Sequence, residues 1–323
     1  MCKVMAMAGL KEENRKAAWQ FIKAARTFMT ANDPHGLGYA ASCENGIFGE
    51  RWVNPNTAFK HREQAPHDLR IIAQLGDAVA SEQHYNSFGD ITYQYHADAI
   101  IYHSRYATCS KGLKNTHPFV SNNTALIHNG VISNSRELKN ITSTCDSECI
   151  LNEYVDKFVN YDPTRIEAVA DNLSGYYACC VLTEDAEGTR VLDIFKDSGA
   201  SLYCAYIKKL DAVVYCTSGE IITKTLKRLQ WGGVTAIHTV NEGYLIRINC
   251  ETGDVMSKHE FDCDVSYSDK SDTLYPYESG YSRYSGTKKS IWDQYRELEK
   301  SDNKDPDLTE LSEIEDDNER RYG

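Results

Sequence analysis

No stretch of about 18 consecutive apolar residues occurs in the 323-residue chain, so no segment has the length and character of a membrane-spanning helix. The apolar part of its N-terminus, MCKVMAMAGLKEEN, is too short for a secretory h-region, and a cytoplasmic protein is expected. Eleven cysteines are present, an odd number with no CxxC pair. That argues against a disulfide framework or a zinc ribbon, and for thiols that mostly pack as small apolar groups. No Gly-rich phosphate loop of the GxxxxGKS type appears, which leaves ATP use without sequence support. Clustered basic residues are missing too. With 35 Lys+Arg against 47 Asp+Glu, the formal charge of −12 excludes a generic nucleic-acid-coating surface. There is no internal repeat, and neither a metal nor a cofactor is expected.

The negative charge is concentrated at one end. Residues 264–323 carry 16 acidic and 9 basic side chains but only seven Leu, Ile, Val or Phe. Such a segment buries too little apolar surface to offset its ordering entropy, so a disordered acidic, Tyr-rich tail is expected there. Its one amphipathic candidate is Ser290 to Lys300, where Ile291, Tyr295 and Leu298 fall at helical spacing. Residues 2–263 read as a single α+β domain. A short strand, Val4 to Ala8, leads to a helix from about Lys11 to Thr30 with Ala18, Phe21, Ile22, Ala25, Phe28 and Met29 as its apolar stripe. Strand-like runs follow at Leu37–Ala41, Ala99–Tyr102, Thr124–His128, Tyr176–Leu182, Val191–Lys196, Leu202–Ile207, Val213–Thr217 and Tyr244–Asn249. Helical segments are expected near 66–84, 147–159, 163–172 and 219–229. Many strands with few βαβ alternations point to stacked antiparallel sheets covered by helices. Residues 42–65, rich in Asn, Gly and charge, read as a loop able to act as a lid.

Four places carry chemistry. Cys2 follows Met1 directly, so removal of Met1 leaves a thiol and a free α-amine within one residue. An α-amine titrates near ~7.7–8.0 and a thiol near about 8.5, which makes the pair a self-contained base and nucleophile. In YHSRYATCS at 102–110, followed by NTHPF at 115–119, a strand ends on Arg105, which read alone is a surface ion-pair partner or a planar fork that grips a carboxylate. In TALIHNGVISN at 124–134, Asn129–Gly130 reads either as a tight hairpin turn or as a pair of donors, the Asn amide and the Gly N–H, aimed at an oxyanion. Asp146, in TCDSECILNEYV, stands where a helix N-cap is favoured, with Glu148 in the first turn. Cys179–Cys180 reads as strand packing, and Cys145/Cys149 lacks a metal spacing. His61 and His67 read as exposed, and His103, beside Arg105, reads either as a residue with no role there or as one that orients the Arg105 loop.

Taken in order, the N-terminal Cys, SRYAT with THPF, LIHNGVISN and DSE resemble the class II glutamine amidotransferase domain of the N-terminal nucleophile hydrolases. The likeness continues through NLSGYYACCVL, IFKDSGASLYCA and VVYCTSGE and covers roughly residues 2–250. Tyr106 stands where many members have Trp, Cys109 where some have His, and Lys3 where Gly is frequent. NDPHGLGYAA replaces the RG-D-S-x-G segment that often follows the first helix. The resemblance implies a four-layer αββα sandwich and a glutaminase. Cys2 would attack the glutamine amide to give a γ-glutamyl thioester, with Asn129 and Gly130 holding the oxyanion. Arg105 would bind the substrate α-carboxylate and Asp146 its α-ammonium, with Tyr106, Thr108 and His117 lining the pocket. Family enzymes usually fuse this domain to a synthase, whereas about 60 acidic residues remain here. A stand-alone subunit that passes ammonia to a separate synthase is therefore expected. Hydrolysis of another γ-glutamyl amide or peptide, and a noncatalytic amino-acid-binding module, are the alternatives.

Overall fold

The computed structural model describes residues 2–30, 35–44, 46–53, 81–85, 91–95, 97–107, 112–138, 143–158, 162–232 and 236–263, with backbone alone at Trp52, 81–85 and 91–95. One sheet runs in the order β13 (His238–Thr239), β11 (Tyr203–Ile207), β12 (Ala212–Cys216), β1 (Lys3–Met7), β6 (Ala99–Arg105), β2 (Gly36–Cys43) and β3 (Gly46–Val53). The other runs β15 (Val255–Glu260), β14 (Tyr244–Asn249), β10 (Arg190–Lys196), β9 (Gly175–Glu184), β8 (Thr124–Ile132) and β7 (Phe119–Ser121). Strands β4 (Ser81–Tyr85) and β5 (Ile91–Tyr95) form a separate pair, and among the described residues every pairing is antiparallel. Helices α1 (Glu12–Thr30) and α4 (Gly219–Leu229) cover the first sheet, and α2 (Ser147–Lys157) and α3 (Ile166–Ala170) cover the second. The result is the expected αββα sandwich. Among the described residues, no helix is long and apolar enough to cross a membrane.

Burial explains why these segments fold as they do. Phe21, Ile22, Ala25 and Met29, spaced by three and four, put one face of α1 onto Met5, Met7, Tyr39 and Tyr102, and Glu12 and Glu13 suit its N-terminal turn. Ile150, Leu151, Tyr154, Ile166 and Val169 pack in the same way on Leu126, Cys179, Val181 and Phe195. Each sheet therefore turns one face to helices and the other to its partner sheet, and its central strands read as unbroken apolar runs. Arg247, within the second sheet, donates from Nε and Nη2 to the two oxygens of Asp193 at 2.8 and 2.6 Å, and Tyr154 of α2 donates to the same carboxylate at 2.5 Å. The charges are buried but mutually satisfied.

Alternation along each strand fixes what lies between the sheets. Met5 and Met7 belong to the helix-facing core, so Cys2, Val4 and Ala6 face the opposite way, toward the second sheet. Ile100 and Tyr102 likewise leave Ile101, His103 and Arg105 on the inner face of β6. Leu126 and Ile132 face α2 and α3, which puts Ile127 and Asn129 inside. The expected elements differ from the observed ones in three places. The helix near 66–84 is overturned at its end, where Ser81–Tyr85 pairs with Ile91–Tyr95 as a strand; 66–80 lie outside the described residues. The loop expected at 42–65 contains β3, paired along the whole of β2. Residues 163–172 form a single 3-10 turn followed by the short α3. The tail 264–323, His61 and His67 also lie outside the described residues.

Candidate active site

The site grows from the register of β1, β6 and β8. Lys3 pairs with Ser104, which brings Cys2 beside the Arg105 end of β6, and Cys2 Sγ lies 3.5 Å from the Tyr106 carbonyl oxygen. Cys2 is partly exposed, whereas burial pushes the other characterised thiols up, Cys43 and Cys216 to about 11 and Cys149 and Cys250 to about 12. A thiolate is the reactive form, so those buried thiols are poor nucleophiles. Arg105 is 2% exposed, a guanidinium already removed from bulk water. Tyr106 is 43% exposed, its ring 5.2 Å from that of His35, and His35 Nδ1 accepts from the Ala107 N–H at 2.8 Å. Thr108 lies outside the described residues.

On the facing sheet, Asn129–Gly130 forms no turn. It continues β8 past its expected end at His128, paired with Ala178 and Tyr177 of β9. Local turn propensity loses here to the ladder. Ser133 N–H donates to the Ser174 carbonyl of the β9 side at 2.8 Å, so odd-numbered residues of β8 bond toward β9 and even-numbered ones point their N–H groups to the other edge. Ile132 N–H, on that outer edge, donates to Asp146 Oδ2 at 2.7 Å. Gly130 N–H lies on the same edge two residues earlier. A Cβ at Gly130 would stand 2.0 Å from the Tyr176 carbonyl oxygen and 2.6 Å from His128 Nε2, so only glycine fits. Asp146 occupies the N-cap position of α2 in αR conformation, but its side chain makes no cap bond; its carboxylate is turned to β8 instead. Glu148 reaches back to the Ser143 N–H at 2.6 Å.

Beside these two halves lies a set of buried imidazoles that the sequence motifs only partly flagged. His103 and His117 stack with centroids 3.9 Å apart, and His128 follows at 6.4 Å from His117. All three are at most 2% exposed. His117 is buried, its ring against His103 and its carbonyl oxygen over Gly38. Burial first, then the neighbouring His128 and Arg105, push His103 down to about 3. His117 falls well below the usual histidine range by burial and the adjacent His103, His128, Arg105 and Arg51. His128 is lowered by burial, against the pull of Asp146 and Asp197. These rings are neutral near pH 7. Among the described residues, no group of three or more His, Cys, Asp or Glu side chains is arranged to hold a metal ion. Ser147, 2.8 Å from His128 Nδ1, and Lys196, in register with Asn129 through Ala178, are further buried polar neighbours. Their signal in the sequence is slight, a Ser after Asp146 and a Lys at a strand end.

No family model matches the chain. Over 130 residues, 36% of its length, it is 28% identical to glutamine–fructose-6-phosphate aminotransferase (isomerizing) of Francisella tularensis subsp. tularensis (strain SCHU S4 / Schu 4), covering 20% of that protein. The enzyme of the same name from Acinetobacter baylyi (strain ATCC 33305 / BD413 / ADP1) is 28% identical over 146 residues, 40% of this chain and 21% of that protein. The backbone resembles that of glutamine phosphoribosylpyrophosphate amidotransferase from B. subtilis, with a TM-score of 0.55 at 19% identity over 80% of this chain and 49% of that one. These likenesses support the resemblance of the motifs to a class II glutamine amidotransferase domain. The chain spans about a fifth of the length of the curated relatives it matches. The fold brings the motifs together: the strand that follows Cys2 and the strand that ends on Arg105 are neighbours in one sheet, and the strand that carries Asn129 and Gly130 lies in the other.

Proposed function

We propose that the domain hydrolyses the side-chain amide of glutamine to glutamate and ammonia, and that the ammonia passes to a synthase on a separate chain. The observation that carries this reading is the Ile132–Asp146 hydrogen bond, which sets a carboxylate on the strand edge that bears the Gly130 N–H. A zwitterionic substrate needs one cationic and one anionic partner. Arg105 holds its α-carboxylate, favoured because that guanidinium is already desolvated, and Asp146 holds its α-ammonium. Tyr106 lines the pocket, and His117 supports its floor through His103.

In this reading Cys2, once Met1 is removed, gives its thiol proton to its own α-amine and attacks the amide carbon. The negative charge that forms on the amide oxygen is held by the Asn129 amide and the Gly130 N–H. Collapse of the tetrahedral intermediate expels ammonia, which takes the proton back from the α-ammonium of Cys2. Water, deprotonated by the same amine, then attacks the thioester and releases glutamate. Intact-mass measurement and glutamate release test the proposal together. The mature chain should lack Met1, and Cys2→Ala should abolish the release; retention of Met1, or equal release by both proteins, refutes Cys2 as the nucleophile.

A further inference from the structure

Two hydrogen bonds stitch the start of α2 to β8, and they straddle Asn129–Gly130. Ile132 N–H donates to Asp146 Oδ2 at 2.7 Å, two residues after Gly130. His128 Nδ1 meets Ser147 Oγ at 2.8 Å, one residue before Asn129. A single link lets a helix end pivot about it. Two links, four residues apart on the strand and adjacent on the helix, fix both distance and angle.

The second link is built in an unusual place. His128 shares a strand face with Leu126 and Ile132, which are apolar and packed against the helices, yet it carries a ring that must be hydrogen-bonded to be buried there. Ser147, 2% exposed, supplies the partner. The ring also fills the space above Gly130, where a Cβ would stand 2.6 Å from Nε2. One side chain therefore touches both the Gly130 backbone and the helix that carries Asp146.

We propose that His128 and Ser147 are positioning residues, a latch that sets the spacing between the oxyanion donors and the ammonium-binding carboxylate. This rests on the reading of Asp146 as the ammonium clamp. The latch gives the enzyme its preference for glutamine over amides of the same length without an α-amine, since only glutamine uses both ends of that spacing. Misplacement of such a group by about 1 Å can cost ~100-fold in rate.

The test compares kcat/KM for glutamine with that for glutaramate, its analogue lacking the α-amine, in the full chain. Ser147→Ala should lower the glutamine-to-glutaramate ratio by about tenfold or more, through KM for glutamine, and Ser147→Thr, which keeps the hydroxyl, should restore it. Should the alanine variant fail to fold, Ser147→Cys is near-isosteric with a far weaker hydrogen-bonding group and should lower the same ratio. His128→Asn, which keeps a polar atom near Nδ1, should hold more of the ratio than His128→Leu. Asp146→Asn is the reference. If it collapses the ratio while the Ser147 variants lower both substrates in proportion, the latch is refuted and the clamp stands; if Asp146→Asn leaves the ratio unchanged, the clamp falls and the latch with it.

Discussion

Acidification from pH 7.5 to pH 5 tests the buried imidazoles, because folded and unfolded chains take up protons at different pH. In the unfolded chain each histidine titrates near its ordinary value of about 6.5. In the folded chain His103 is pushed down to about 3, first by burial and then by His128 and Arg105. Between those two values the unfolded state binds a proton that the folded state does not, so stability rises with pH across that window. It is complete above about 6.5, is lost as pH falls, and stops changing below about 3. For His103 alone the loss between pH 7.5 and 5 is about 2 kcal/mol, out of a typical ~5–15 kcal/mol for a domain. His117 and His128, also lowered by burial, act in the same direction. The charged groups around the three rings are Arg105 and Arg51, which favour the neutral form, and Asp146 and Asp197, which oppose it at His128. Asp197, pushed up by its own burial, adds a contribution of opposite sign. Urea unfolding followed by tryptophan fluorescence at several pH values measures the sum. The midpoint should drop steeply below pH 6.5, and His103→Gln should flatten the slope by about one proton's share. Equal slopes in the wild type and in His103→Gln would refute the account of His103.

Asn129→Ala should lower kcat by about 100- to 1000-fold with little change in KM, as measured by steady-state glutaminase kinetics, because the oxyanion forms only on the way to the transition state. Gly130→Ala should abolish turnover and destabilise the domain by about 1–3 kcal/mol in urea melts, since the new methyl meets the Tyr176 carbonyl oxygen at 2.0 Å. Arg247→Met should cost about 3–5 kcal/mol by leaving Asp193 buried without its cation, and the double variant Arg247→Met/Asp193→Leu should recover most of that loss in the same melts.

Much of the scaffold is legible in the sequence for a physical reason. Strands such as β1, β6, β9 and β10 are covered on both faces, so they appear as apolar runs, and the i, i+3, i+4 stripe of α1 needs no long-range information. The edge strand β3 is illegible on the same logic. Gly46, Gly49, Glu50 and Arg51 break its apolar pattern, and Gly49 is small because the Pro118 ring lies 3.2 Å from where its Cβ would be. Polar Ser81–Tyr85 has no run or alternation to mark it, and only its pairing with Ile91–Tyr95 makes it a strand. At the candidate site, the local geometry was not legible. Asn129–Gly130 carries the local signature of a turn and Asp146 that of a cap, and each is overruled by a partner far along the chain. Ala178 and Tyr177 hold the first in a ladder, and Ile132 draws the second onto β8.

The open edge of β8 is what joins these pieces. Among the described residues β7 pairs only with Thr124 to Leu126, so the even-numbered N–H groups farther along β8 are left outside its ladder. Had β7 continued beside them, Gly130 N–H and Ile132 N–H would both be spent on backbone carbonyls. Instead Ile132 fixes Asp146, and the His128 backbone lies against His103, whose own strand carries Arg105. The short β7 thus permits one strand edge to meet Asp146 at the start of α2 and His103 of the first sheet at once. The space beside that edge is filled by buried imidazoles, flat rings that pack against one another when neutral.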